Sequence, residues 1–182
     1  WLCDHPQAVR GQRVVELGAG TGLVGIVCAA LGADVTLTDM PDALELCARN
    51  CARSPYASRL RVRACTWGDP THLATLLADG AFDSVVCCET VYQQNDEVLH
   101  AHAHTQQALA KPRTGKVLLA YEFRGAIVED LPYFEAATKL FGESCVHALD
   151  SDIAAASGID HRDDGRADRS LFVYSARVHE KL

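Results

Sequence analysis

The chain has 182 residues, 48% of them hydrophobic, a size that suits one domain (residues 1–182) with a core large enough to fold alone. Its formal charge of −7, with no long basic run, argues against nucleic acid as a partner and suits a basic protein or peptide better. It holds no apolar run of about 18 residues, so no membrane-spanning helix and no membrane partner are expected.

The opening residue is Trp1 rather than Met, which reads as a fragment or a trimmed chain. Trp1 to Gln12 reads as the end of a helix plus a connector, limited by Pro6. Arg13 to Leu17 is expected as the first strand, and Leu23 to Leu31 as a helix closed by Gly32. Between them stands Glu16-Leu17-Gly18-Ala19-Gly20-Thr21-Gly22. A strand, a tight glycine turn and a helix start form the first unit of a Rossmann-like sheet. Gly20, Gly22 and Gly25 satisfy the G-x-G-x-x-G spacing of a dinucleotide enzyme, so the spacing alone does not decide the cofactor. Counted from the strand, the turn reads E-x-G-x-G-x-G, which resembles motif I of the S-adenosylmethionine (SAM) methyltransferases. That resemblance implies a cofactor without pyrophosphate, with Glu16 facing its positively charged methionine end.

Asp34 to Thr38 is the second strand, ending at Asp39, about twenty residues past the glycine turn. An acid there takes the ribose hydroxyls in Rossmann-type sites, its two oxygens matching a diol. The alternative is an acid at the start of the helix Asp42 to Arg53, ahead of Pro41. Leu60 to Cys65 is the third strand, with Arg59, Arg61 and Arg63 alternating against Leu60, Val62 and Ala64. Thr66-Trp67-Gly68-Asp69 follows at its carboxyl end, where open α/β sheets collect ligands. Trp67 is therefore placed beside the adenine, or else is a core or edge aromatic.

Thr71 to Ala78 is a short helix, and Phe82 to Cys88 the fourth strand, running into Glu89-Thr90-Val91-Tyr92. Asn95 to Ala110 is a helix carrying His100, His102 and His104. His100 and His104 share a face while His102 lies nearly opposite, so a solvated histidine face is expected rather than a metal site. Gly115 to Tyr121 is the fifth strand, followed by Glu122-Phe123-Arg124. Leu131 to Phe141 is a helix, Ser144 to Leu149 the sixth strand and Ser170 to Val178 the seventh. Asp150 to Arg169 reads as a long loop or an insertion in the hairpin. Eight cysteines lack any C-x-x-C pair, which points to buried free thiols in a reducing cytoplasm or nucleus.

Five βα units closed by a hairpin match an α/β, Rossmann-like seven-stranded methyltransferase sandwich: a mostly parallel sheet with one antiparallel strand near its edge. Trp1, the V-V-E-L-G-A-G-T-G-L-V-G stretch, Leu37-Thr38-Asp39, Thr66-Trp67-Gly68 and Glu89 to Tyr92 fall in the order of the seven-β-strand protein-lysine methyltransferases called methyltransferase family 16. Glu89 to Tyr92 resembles that family's Asp/Glu-x-x-Tyr motif in its less common Glu form. The family's fold extends upstream of its Trp, so an N-terminal part is expected beyond Trp1. The resemblance implies that Glu16, Gly18, Gly20, Gly22, Asp39 and Trp67 line SAM. It places Cys88 and Glu89 beside the methionine portion and Trp1 over the cofactor. Glu89 and Tyr92 would border the opening for the target side chain, with Glu89 docking and orienting the amine. Arg124 would bind an acidic group of the substrate or brace Glu122. The implied activity is SAM-dependent methylation of a lysine in a protein substrate, by a monomer, without a metal. The alternatives are a small-molecule or protein-histidine N-methyltransferase, and a non-catalytic module on the same fold.

Overall fold

The computed structural model describes residues 1–92, 94–122, 127–148 and 171–178. Seven strands form one sheet: β1 Arg13–Leu17, β2 Asp34–Asp39, β3 Leu60–Ala64, β4 Ser84–Cys88, β5 Lys116–Glu122, β6 Phe141–Ala148 and β7 Leu171–Val178. Their order is β3-β2-β1-β4-β5-β7-β6, and only β7 runs antiparallel to its neighbours, one place in from the edge. The order reverses at β1, whose neighbours are β2 and β4, the place where an open α/β sheet forms its ligand crevice.

The central strands are apolar on both faces because helices cover both. Even-numbered Val14, Leu118 and Val86 pack with Val35, Leu37 and the helices α1 Leu23–Ala30 and α2 Leu44–Arg53. Their neighbours Val15, Leu17, Val85, Val117 and Leu119 face α3 Pro70–Leu77, α4 Asp96–Leu109 and α5 Ile127–Leu140. Leu17, Leu37 and Leu119 are fully buried, and each such side chain contributes about 1.5–3 kcal/mol on burial. Two helices start on side-chain caps. Asp69 accepts from the Thr71 and His72 amides at 2.8 and 3.0 Å with Pro70 next in line, and Asn95 accepts from Val98 N at 2.9 Å.

Three elements differ from expectation. The opening residues make hydrogen-bonded turns and one 3-10 turn, Pro6–Ala8, rather than an α-helix. Helix α5 starts four residues early, at Ile127, and runs through Pro132. Strand β6 then begins directly at Phe141. Arg124 and the expected loop over 150–169 lie outside the described residues. No described helix is long and apolar enough to cross a membrane.

Candidate functional site

The strand ends on either side of the reversal point open into a cavity of about 740 Å3. Gly18, Gly20, Asp39, Met40 and the Cys65–Gly68 loop line one side of it. Glu89, Thr90, Tyr92, Gln94 and the first turns of α4, with Glu97, Val98 and Ala101, line the other. Of the site residues expected from sequence, Gly18, Gly20, Asp39, Trp67, Glu89 and Tyr92 come together here.

The turn is built by close approach. Gly18 has φ +66°, and a Cβ on it would stand 2.8 Å from Thr90 Cγ2. The missing Cβ lets the β1 turn lie close against the loop after β4, and a side chain there would force the two apart. Gly20 N donates to Asp39 Oδ2 at 2.7 Å, and Met40 N donates to Asp39 Oδ1 at 2.8 Å. Two backbone amides thus hold the carboxylate at the cavity rim, and each oxygen keeps a lone pair for a further donor. Asn50, from α2, braces the turn by donating to Thr21 O at 2.9 Å.

Trp67 is half-buried, packed against the core and also lining the cavity. Gly68 N donates to Thr105 Oγ1 of α4 at 2.9 Å, which fixes the loop from behind.

Glu89 follows directly on β4. Its φ of +55° is a left-handed backbone rarely taken by a residue with a side chain, a strain found most often at functional sites. Its amide donates to Ala120 O at 3.0 Å, and its Oε1 accepts from Glu122 N at 2.7 Å. The carboxylate is therefore oriented by the end of β5 rather than left to swing. Tyr92, 46% exposed, stands at the mouth.

Four expected site residues are not in the cavity wall. Glu16 shares the α1–α2 face of β1 with Val14, and it is only 2% exposed. Its Oε2 accepts from Gly25 N at 2.8 Å, capping the first turn of α1. Burial pushes its pKa up to about 8, against the Gly25 hydrogen bond that lowers it. It faces the helix, not the cavity. Gly22, with φ +82°, is the cap residue of α1 and backs onto Cys47 and Leu37. Cys88 ends β4 on the same face as Val86, and burial raises its thiol pKa. Trp1 stacks on His5 at 4.4 Å and packs against the α1–α2 core.

The histidines of α4 divide between two faces. His100 and His104 are exposed, but His102 is completely buried. Burial pushes its pKa down to about 3. No group of three His, Cys, Asp or Glu is arranged to hold a metal among the described residues.

Sequence reasoning missed Met40, Thr90, Gln94, Glu97, Val98 and Ala101. Met40 carried a signal: an apolar residue directly after the strand-end acid, here 54% exposed. The α4 residues carried none, because their turn of helix meets the cavity only through the packing of α4 behind the Trp67 loop.

Residues 3–140 match the protein family described as lysine methyltransferase. EEF1A lysine methyltransferase 3 of Mus musculus is 44% identical over 96 residues, 50% of this chain and 40% of that protein. Protein N-lysine methyltransferase METTL21A of Danio rerio is 39% identical over 119 residues, 64% of this chain and 52% of that protein. The chain thus spans about half, or less, of the relatives it matches. In three dimensions it resembles the apo form of the SAM-dependent methyltransferase SibL, with a TM-score of 0.67 at 16% identity over 98% of this chain and 54% of the other. That likeness is one of fold. The match over residues 3–140 is one of sequence, and by it the chain belongs to the lysine methyltransferase family.

Proposed function

We propose that the chain is a SAM-dependent N-methyltransferase acting on a lysine side chain of a protein. The observation that carries this is the charge of the cavity. Its described lining holds three carboxylates, Asp39, Glu89 and Glu97, and no Lys, Arg or His. Such a site favours cations, and both the sulfonium cofactor and a lysine ammonium are cations. The glycine turn supports the cofactor's place, since at Gly20 nothing stands within 4 Å of where a Cβ would be, leaving that room to a ligand.

Asp39 would accept hydrogen bonds from the ribose hydroxyls, and Trp67 would cover the adenine. Bound SAM supplies an activated methyl group to a nucleophile. The chain's part is alignment and removal of water. A lysine of ordinary pKa needs about 4–5 kcal/mol to lose its proton at pH 7. Exclusion of water around the amine lowers that cost, whereas a carboxylate alone increases it. Glu89 therefore docks and orients the amine through a carboxylate held by Glu122 N, and Tyr92 walls the entrance. The relatives' names support a protein substrate, and the seven free cysteines among the described residues support a reducing compartment, cytoplasm or nucleus. The enzyme acts as a monomer, without nucleic acid.

The test is transfer of labelled methyl from SAM by the full-length protein into cell lysate, followed by gel separation and mass spectrometry of the labelled band. Label on a lysine is the expected result. Label on histidine, or in small molecules alone, would replace the lysine reading, and a protein that binds no SAM would be a non-catalytic module.

A further inference from the structure

Among the three histidines of α4, His102 is the one turned inward. Its ring centroid lies 4.0 Å from that of Trp67, with the planes tilted by 36°, and 5.4 Å from that of Tyr133. Gln106, one turn along, has Nε2 3.2 Å from His102 Nε2 and donates to Cys87 Sγ at 3.3 Å. Gln106 Oε1 accepts from the Tyr133 hydroxyl at 2.9 Å. With its amide nitrogen facing the imidazole, Gln106 is the donor, which assigns the ring hydrogen to His102 Nδ1. That Nδ1 is buried with no hydrogen-bond partner. A leucine would fill the space without a stranded donor. What the imidazole adds is a flat ring behind the indole and a tie, through Gln106 and Tyr133, to α5.

The rest of this helix face serves the same loop. Thr105 accepts from Gly68 N, and Ala101 Cβ stands 3.3 Å from where a Cβ of Gly68 would be. Three residues of α4 thus bear on Trp67 and Gly68: Ala101 from the cavity wall, and the fully buried His102 and Thr105 from behind it. We propose that His102 is a positioning residue for the cofactor, a backstop that holds Trp67 in the pose that receives the adenine ring of SAM. The proposal rests on the reading of the cavity as a SAM site. An indole already held in place does not have to be ordered when the ligand arrives, so the backstop acts on cofactor affinity rather than on the chemical step.

Replacing His102 with leucine is expected to weaken SAM binding by about five- to tenfold, the effect of freeing one large side chain. The KM for SAM rises with it, while kcat at saturating SAM stays within about twofold. His102→Phe, which restores a flat ring, recovers most of the affinity. A ligand-free readout separates the two layers of the argument. The emission of Trp67 is isolated as the difference between each protein and its Trp67→Phe counterpart. His102→Leu should shift its emission and His102→Phe should bring it back. A folded His102→Leu protein with unchanged emission and unchanged SAM affinity overturns the proposal. If His102→Leu does not fold, Thr105→Val removes the Gly68 anchor alone and should move both readouts in the same direction; no change in either overturns it equally. If the unaltered protein binds no SAM, the cofactor reading and this proposal fall together, and the emission of Trp67 then reports only on packing.

Discussion

Strands β1 and β4 lie side by side, and each delivers a glutamate at or just past its carboxyl end. The two acids live in opposite worlds. Glu16 is still inside the pleat, on the face that carries Val14, so its side chain must enter the layer between the sheet and α1. There it is almost wholly buried and caps Gly25 N, and burial pushes its pKa up to about 8. Glu89 stands one residue beyond the pleat, where a left-handed backbone turns it toward the cavity and Glu122 N holds it. One carboxyl caps the helix α1, and the other lines the cavity. Position relative to the last ladder residue decides which, because the pleat dictates direction only while pairing lasts.

The largest effect separating the two should come from Glu89→Gln. The amide can still accept from Glu122 N, so the loop should keep its form while the charge is lost. Methyl transfer should fall by about a hundredfold or more, the scale of a reactant no longer held in line, with SAM affinity nearly unchanged in calorimetry. An equal fall in binding and turnover would place Glu89 on the cofactor side. Next, Asp39→Ala should weaken SAM binding by roughly ten- to a hundredfold, since hydrogen bonds to a charged group contribute about 1.5–3 kcal/mol each. Unchanged affinity would remove the ribose role.

The Glu16 side of the comparison is read in stability. A Cβ on Gly25 would meet Leu37 Cδ2 at 2.5 Å and Glu16 Oε2 at 2.6 Å. Gly25→Ala should therefore cost about 1–3 kcal/mol in denaturant unfolding, the scale of overpacking. The smallest effect is a slope. Glu16 has its pKa raised from 4.5 to about 8, so between those pH values the unfolded chain ionises while the folded one keeps its proton. Stability contributed below pH 4.5 is lost as pH rises through that window, and Glu16→Gln should flatten the loss and be the more stable form above pH 8. On the acid side His102 acts the other way. Its pKa is lowered from 6.5 to about 3, so stability present above pH 6.5 is lost as pH falls toward 3. Thermal unfolding across pH 4–9 with each variant reads both limbs, and a Glu16→Gln profile parallel to the unaltered protein would sink the buried-acid account.

Much of the site was legible in the chain. The glycine turn, Asp39 at the end of β2, Trp67 after β3 and Glu89 with Tyr92 after β4 all stand at strand ends, and strand ends can be read from where an apolar run stops. The direction of Glu16 was not legible, because the acid of an E-x-G motif carries no mark of which face its strand will turn to a helix. The burial of His102 was not legible for a related reason. Helical spacing set it opposite His100 and His104 correctly, but spacing alone cannot say which of two faces meets the core.

Local pattern determined by itself the alternation of strands and helices, the tight turn after β1, the acids waiting at the sheet's carboxyl edge and the family to which they are similar. These depend on short-range periodicity and on residues whose backbone freedom is their own. Tertiary structure alone decided which glutamate reaches the cavity, that an imidazole backs the indole, and that Met40, Gln94 and the start of α4 complete the wall. Those choices arise when segments far apart in the chain pack together, since burial and partners belong to the assembled layers and not to any one stretch.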